Sequence, residues 1–163
     1  MKERKGCIFS ISQDNAPVAG CTISKDVVRQ DDCQVLYFSL AAQTDISPET
    51  YDQVKIIYVT DGTLCLYGPE GEREIPEGQG YIARPGIPVG MKSLHGAVYV
   101  EITVKEELLM NIDTGKLFSL AGLVPCQDGK IINRDLIQSP KVKFVVMRFG
   151  AGTGLSEHAA PGE

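Results

Sequence analysis

An all-β fold of the sandwich, jelly-roll or barrel kind is what this sequence predicts, on three observations. Between Tyr51 and Glu101, short apolar or alternating runs (VKIIYV, TLCLY, YIA, VGM, AVYVEI) are separated by turn clusters (DG, GPEG, PEGQG, RPGIP, HG). Runs of this size and spacing are the mark of packed antiparallel sheets, and no helical period interrupts them. Asp61-Gly62 between two β-rich runs predicts a tight hairpin, because a type I′ turn needs φ > 0 at both central residues.

The rest of the chain reads in order. Cys7–Ser12 is a short lead-in segment, and Asn15-Ala16-Pro17 with Gly20 breaks the chain. Cys21–Arg29 and Gln34–Leu40 read as strands around a Gln30-Asp31-Asp32 turn. Ala42–Thr50 reads as a polar loop leading into the central runs. Ala97–Val104 is the closing strand, and NIDTG, ending at Gly115, is the natural domain boundary. Beyond it, Leu117–Val124 reads as a turn of helix. Lys130–Ile137 and Lys141–Phe149 read as two strands around Ser139-Pro140.

The C-terminal part repeats the N-terminal part. The stretch from Gly20 aligns without a gap on the stretch from Gly129, with Phe9-Ser10 on Phe118-Ser119 at the same offset. Asp26 falls on Asp135, Thr44 on Thr153 and Ser47 on Ser156, in one polar and apolar rhythm. Two copies of one unit are indicated, divided as 1–112 and 113–163. By this alignment Glu163 stands opposite Val54.

Composition narrows the function. A chain of 163 residues, 43% hydrophobic, suits one domain or one and part of another. Its formal net charge of −5 argues against a nucleic-acid binder, which needs a basic face. No apolar run is long enough to span a membrane, and MKERKGCIFSISQDNAP lacks the apolar stretch of a signal peptide, so a cytoplasmic protein is expected. Five cysteines without CxxC spacing are expected to be buried small hydrophobes. The glycines of GAGTG are not a phosphate loop, since no Lys-Ser/Thr follows.

The central stretch resembles the cupin family. Cupins carry G-x5-H-x-H-x3,4-E-x6-G and then G-x5-P-x-G-x2-H-x3-N. The final glycine of the first motif falls on Gly62, the second motif begins at Gly78, and its loop glycine is Gly86 in RPGIPVG. The resemblance covers most of the chain and implies a cupin-type jelly-roll barrel (a double-stranded β-helix), with extra C-terminal strands that open a second unit. The ligand positions depart from the family: the two histidines are Glu49 and Tyr51, the glutamate is Lys55, the second-motif proline is Arg84 and its histidine is Val89. In the second copy, Gly152 and His158 fit G-x5-H, with His158 opposite Glu49 and Ala160 at the next histidine position.

These positions frame the chemistry. Cupin metal sites use imidazole and carboxylate ligands, which suit first-row metals. Lysine repels a metal, tyrosine is a rare ligand, and His95 and His158 lie on different copies. No metal is expected in the first barrel, and His158 is a ligand only if the second barrel is completed. Glu49 reads as a solvated loop residue or a pocket carboxylate. Lys55 points inward with Glu49 as the available partner, or lies in solvent after a one-residue register shift. Arg84 is an exposed loop arginine, or a clamp for an anionic ligand at the barrel mouth. Val89 and Met91 read as core or pocket lining, His95 as an exposed turn residue, and Glu101 as a solvent-facing residue or a pocket acid.

The expectation is therefore a cupin-domain protein without a metal or other cofactor in its complete barrel, a structural or small-molecule-binding module with a possible polar or anionic ligand. The alternative is a fragment of a metal-dependent cupin enzyme (isomerase, dioxygenase or decarboxylase class) with its site around His158. The C-terminal strands, apolar at Ile131, Phe144 and Val146, either add to the first sheet or exchange with a second chain, so a homodimer through strand pairing is expected.

Overall fold

The structure is a computed structural model that describes residues 6–140 and 142–157. His158 and the residues after it lie outside the described residues. The element order is α1 (Ile11–Asp14), β1 (Thr22–Arg29), β2 (Cys33–Leu40), β3 (Thr44–Glu49), β4 (Val54–Gly68), β5 (Gly71–Pro76), β6 (Gln79–Ala83), β7 (Val89–Ser93) and β8 (Ala97–Val104). A 3₁₀ turn (Glu106–Leu108), β9 (Leu117–Ser119), α2 (Leu120–Leu123), β10 (Ile131–Gln138) and β11 (Lys143–Phe149) follow. The closing strand matches its expected range. No described helix is long and apolar enough to cross a membrane.

Two sheets face each other as a jelly-roll barrel, and β4 belongs to both. One sheet runs β1-β2-β8-β4-β6-β9, and the other joins β3, β7, β4 and β5, with each pairing antiparallel. The first part of β4 pairs with β6 and β8, and from Thr63 onward it pairs with β5 and β7. The hairpin expected at Asp61-Gly62 is therefore absent. Those residues lie inside a strand of 15 residues, at a bulge between Val59 and Asp61. The same local chemistry serves both outcomes, because Gly62 does have positive φ (+75°). The bulge also changes which positions face inward: Ile57 and Val59 before it, Leu64 and Leu66 after it.

The loop expected at Ala42–Thr50 is instead strand β3. Its Ile46 sits opposite Met91 on β7 and packs on the core. Ser47-Pro48 is tolerated because β3 lies at a sheet edge, where a missing N–H costs no ladder bond. The barrel interior is filled by Leu40, Ile57, Leu64, Ile75, Ala97 and Tyr99, among others. Of the cysteines only Cys33 is buried; Cys65 is half-buried, Cys7, Cys21 and Cys126 are exposed, and all five are free. Their expected burial fails because the three exposed ones lie outside strands that face a core.

The C-terminal segment neither adds β10 and β11 to the barrel's sheet nor leaves them uncovered. They form a separate two-stranded sheet, and Ile137, Val142 and Phe144 pack with Cys33, Val54, Ile56 and Ile82 on the barrel's outer face. Leu117–Val124 is split between β9, which pairs with β6, and the single turn α2.

This ribbon has the geometry of β1–β2 at the offset that carries Gly20 to Gly129. Thr22 pairs with Leu40 as Ile131 pairs with Phe149, and the bulge between Asp26 and Val28 recurs between Asp135 and Ile137. Ser10 Oγ accepts from the Gln13 N–H at 3.3 Å and Ser119 Oγ from the Gly122 N–H at 3.0 Å, capping α1 and α2 alike. The Thr44 hydroxyl donates to the Ala41 carbonyl at 2.8 Å, and that of Thr153 to Gly150 at 2.7 Å. The surroundings differ, however. Phe118 packs against the barrel, whereas its counterpart Phe9 is exposed, and so is Phe149, the counterpart of the fully buried Leu40.

A Cβ on Gly62 would lie 2.2 Å from the Gly96 carbonyl oxygen, in a backbone conformation L-residues avoid. Gly62→Ala is expected to cost roughly 2 kcal/mol or more, read as a lower urea midpoint at an unchanged slope.

Candidate functional site

Three of the departed motif positions, Glu49, Tyr51 and Lys55, are linked side chain to side chain between the end of β3 and the start of β4. Lys55 lies on the inward face of β4, opposite Ala83 on β6 and Thr103 on β8. Its ammonium donates to Glu101 Oε1 at 2.8 Å, and the two side chains are only 9% and 4% exposed. The Tyr51 ring covers the ammonium, 3.4 Å from its centroid. The Tyr51 hydroxyl donates in turn to Glu49 Oε2, and Glu49 stands opposite Val89 across β3 and β7. Three segments thus supply the cluster: the end of β3 with the loop after it, β4 and β8.

Several expectations are corrected here. Lys55 is inward, but its partner is Glu101. Glu49 is exposed at the end of β3 and bonds Tyr51, so it is neither a loop residue nor the lysine's counter-ion. Glu101 is buried, because β8 places it across from Ile57 on the inner face. Met91 is buried core and accepts a hydrogen bond on Sδ from the Tyr99 hydroxyl at 3.0 Å. Val89 is half-buried against the same core. Arg84 is ion-paired with Glu70 at 2.9 Å, half-exposed at the mouth. His95 is exposed in its turn.

Burial and charge act together on the two tyrosines. Burial raises the Tyr51 hydroxyl far above its ordinary value of 10.0, and the bond to Glu49 and the charges of Glu49 and Glu101 add to it. Tyr99, fully buried and stacked on Phe38 with centroids 5.0 Å apart, is raised by burial and then by Glu101 and Tyr51. Both remain neutral hydrogen-bond donors at ordinary pH.

A metal, which the motif resemblance would imply, does not fit these residues. The position of a ligand carboxylate holds a cation committed to Glu101, and a phenol ring covers it. Among the described residues no three His, Cys, Asp or Glu side chains gather where they could hold a metal ion. The cluster stores a buried charge pair and offers no open coordination position.

Two concavities lie nearby. A small one of about 50 Å³ at the barrel mouth is lined by Arg73, Tyr81, Ala83, Arg84 and Val89, with Arg73 5.5 Å from the Tyr81 centroid. A larger one of about 830 Å³ covers outward-facing residues of the second sheet, including Cys65, Tyr67, Glu72, Lys92 and His95. There Lys92 pairs with Glu72 and lies 5.2 Å from the Tyr67 centroid. Burial, then the charge of Glu72, pushes the Cys65 thiol above its usual value. Sequence reasoning missed this groove. Its signal was the outward alternation of Thr63, Cys65 and Tyr67, which reads as ordinary strand surface until β5 and β7 are placed beside it.

No protein-family model matches the chain. The beta-alanine degradation protein BauB of Pseudomonas aeruginosa is 34% identical over 86 residues, spanning 48% of this chain and 90% of that protein. Among solved structures, a cupin 2 conserved barrel domain protein from Leptotrichia buccalis superposes with a TM-score of 0.78 at 22% identity, covering 93% of this chain and 68% of that one. The chain belongs to the same family as the P. aeruginosa protein, and its fold is the cupin barrel. A further cupin superfamily protein, from Desulfitobacterium hafniense, matches with a TM-score of 0.58 at 12% identity over 63% of this chain and 94% of that one. At these identities the solved cupins establish the barrel, and the side chains inside it must be read from this chain.

Breaking the buried pair from one side should cost far more than removing it whole. Glu101→Leu strands the Lys55 charge and is expected to lose about 3–5 kcal/mol, whereas the double variant K55M/E101L should be near neutral or more stable. Urea unfolding of the four proteins gives the cycle. The tyrosines set a second expectation. Each holds its proton more tightly folded than unfolded, so their contribution is complete below pH of about 10 and is lost as pH rises through the folded-state values. Stability measured from pH 8 upward should fall beyond about pH 10, and less steeply in Tyr51→Phe.

Proposed function

We propose that this cupin barrel works without a metal, as a structural or small-molecule-binding module. The observation that carries the reading is the Lys55–Glu101 pair under the Tyr51 ring, which takes up the positions a metal's ligands would need. A ligand would then sit at the mouth. Arg73 and Arg84 line that concavity beside Glu70 and Glu72, with Arg84 paired to Glu70, and a small carboxylate or other anion would compete for the arginines. The five free cysteines suit a reducing compartment, and we place the protein in the cytoplasm. The free edge of β11 and the exposed Phe149 favour a homodimer through strand pairing.

A second reading is favoured by the repeated geometry of the ribbon. Residues 113–163 open a second cupin unit, 1–112 being the first, and in a longer protein a metal-dependent enzyme site would form around His158. Exposed Phe9 and Phe149 support it, since their counterparts Phe118 and Leu40 are packed against a barrel. Reading the transcript beyond codon 163 separates the two: further strands with histidines at motif spacing favour this second reading, and a stop codon removes it.

Elemental analysis of the purified chain tests the first reading. The expected content is well below one metal per chain, and about one tightly held Mn, Fe, Ni or Zn per chain would refute it. A thermal-shift screen with sugars and small carboxylates checks the binding role. It includes β-alanine because the name of the P. aeruginosa relative refers to its degradation. Any ligand should raise Tm by mass action, and Arg84→Ala should weaken the response to carboxylates.

A further inference from the structure

We infer that the ligand of the barrel mouth is a small zwitterion, carrying one carboxylate and one ammonium, that opens the Arg84–Glu70 pair and replaces both of its halves. This rests on the small-molecule-binding reading above and names the class of ligand.

The mouth is built to hold that pair in place. Arg84 follows β6, and Glu70 lies in the turn between β4 and β5. The β4–β5 turn meets the loop after Arg84 because Gly68 has no side chain, and a Cβ there would lie 2.4 Å from the Pro88 carbonyl oxygen. The Arg84 guanidinium rests on Gly115, where a Cβ would lie 2.5 Å from Nη2 and 2.7 Å from Cζ and Nε. The Gly115 N–H donates to the Ile82 carbonyl at 2.8 Å, which ties this turn to β6. Arg84 Nη1 then donates to Glu70 Oε1 at 2.9 Å, with the two side chains 46% and 48% exposed. A pair so exposed is held weakly and opens readily.

Charge decides which ligand opens it. The lining carries two acids, Glu70 and Glu72, and two arginines, Arg73 and Arg84, so neither sign is in excess. Glu72 is paired with Lys92, and Arg73 lies over Tyr81. A plain carboxylate that takes Arg84 leaves Glu70 without its cation. A plain amine that takes Glu70 leaves Arg84 without its anion. A zwitterion gives each a new partner, its carboxylate to Arg84 and its ammonium to Glu70. Leu66, Ile87 and Val89 supply an apolar wall for the stem between the two charges. The concavity of about 50 Å³ has room for about four waters, the size of a ligand with roughly four to six heavy atoms. A small amino acid meets both the size and the charge.

Amide NMR titrations of the full chain at neutral pH and constant ionic strength test this. The probes are glycine and β-alanine against propionate and ethylamine, each of which is β-alanine without one charge. At least one amino acid should shift the amides of Gly68, Gly71 and Arg84, with a dissociation constant at least about threefold below those of propionate and ethylamine. Glu70→Gln frees Arg84 and removes the acceptor for the ammonium, so propionate should then bind as tightly as the amino acid. In Arg84→Ala the advantage over ethylamine should vanish.

The failures are distinct. Propionate or ethylamine binding the unaltered protein as tightly as both amino acids overturns the zwitterion and keeps the mouth as a binding site. If none of the four probes shifts the mouth amides, the mouth is not a binding site and the inference falls with it. A preference for the amino acid that persists in E70Q also overturns it, because Glu70 would then not be the group that reads the ammonium.

Discussion

A single strand of 15 residues carries hydrogen bonds for both sheets of the barrel, and the bulge before Gly62 lets it do so. A strand that simply continued would keep the same parity facing inward, and one end of the barrel would then present polar positions to the core. The extra residue resets the parity, so Ile57, Val59, Leu64 and Leu66 all point into one interior. Glycine at the bend permits the left-handed backbone and the close passage of the Gly96 carbonyl. The register of β4 with β8 then fixes where Lys55 and Glu101 stand: on the same face, within reach of each other.

That placement has a chemical consequence. An ion pair inside a barrel is weak evidence for stability, since both groups give up their hydration. Its effect here is on what the interior can accept. A lysine committed to a carboxylate and capped by a ring stands where a ligand carboxylate would be needed. The open concavities lie outward instead, at the arginine-lined mouth and in the groove across the second sheet.

The β-rich architecture was legible because alternation and turn chemistry are local signals, and the closing strand Ala97–Val104 was found to the residue. Asp61-Gly62 misled because positive φ at a glycine is shared by hairpin turns and bulges, and only the partner strands tell them apart. Thr44–Glu49 was hidden as a strand by Ser47-Pro48, since its identity comes from β7 and not from its own residues. The cupin motif brought Glu49, Tyr51 and Lys55 to one neighbourhood. It could not pair them, because the counter-ion arrives from Glu101, far along the chain. Burial of cysteine is a statistical tendency, and the packing around each residue decided against it for Cys7, Cys21 and Cys126.

The doubled ribbon also bears on how the chain reaches this state. Strands β1 and β10 share a length, a bulge position and the hydrogen-bond frame of their partners β2 and β11. A newly made chain therefore contains two near-equivalent mates for each of these strands, and β2 can zip onto β10 before β1 is in place. Such exchanged pairings are well formed locally and wrong globally, a trap open to any chain with two similar ribbons. Escape requires breaking a full ribbon, so the order in which the strands emerge during synthesis, β1 and β2 well ahead of β10, becomes part of what selects the correct partners.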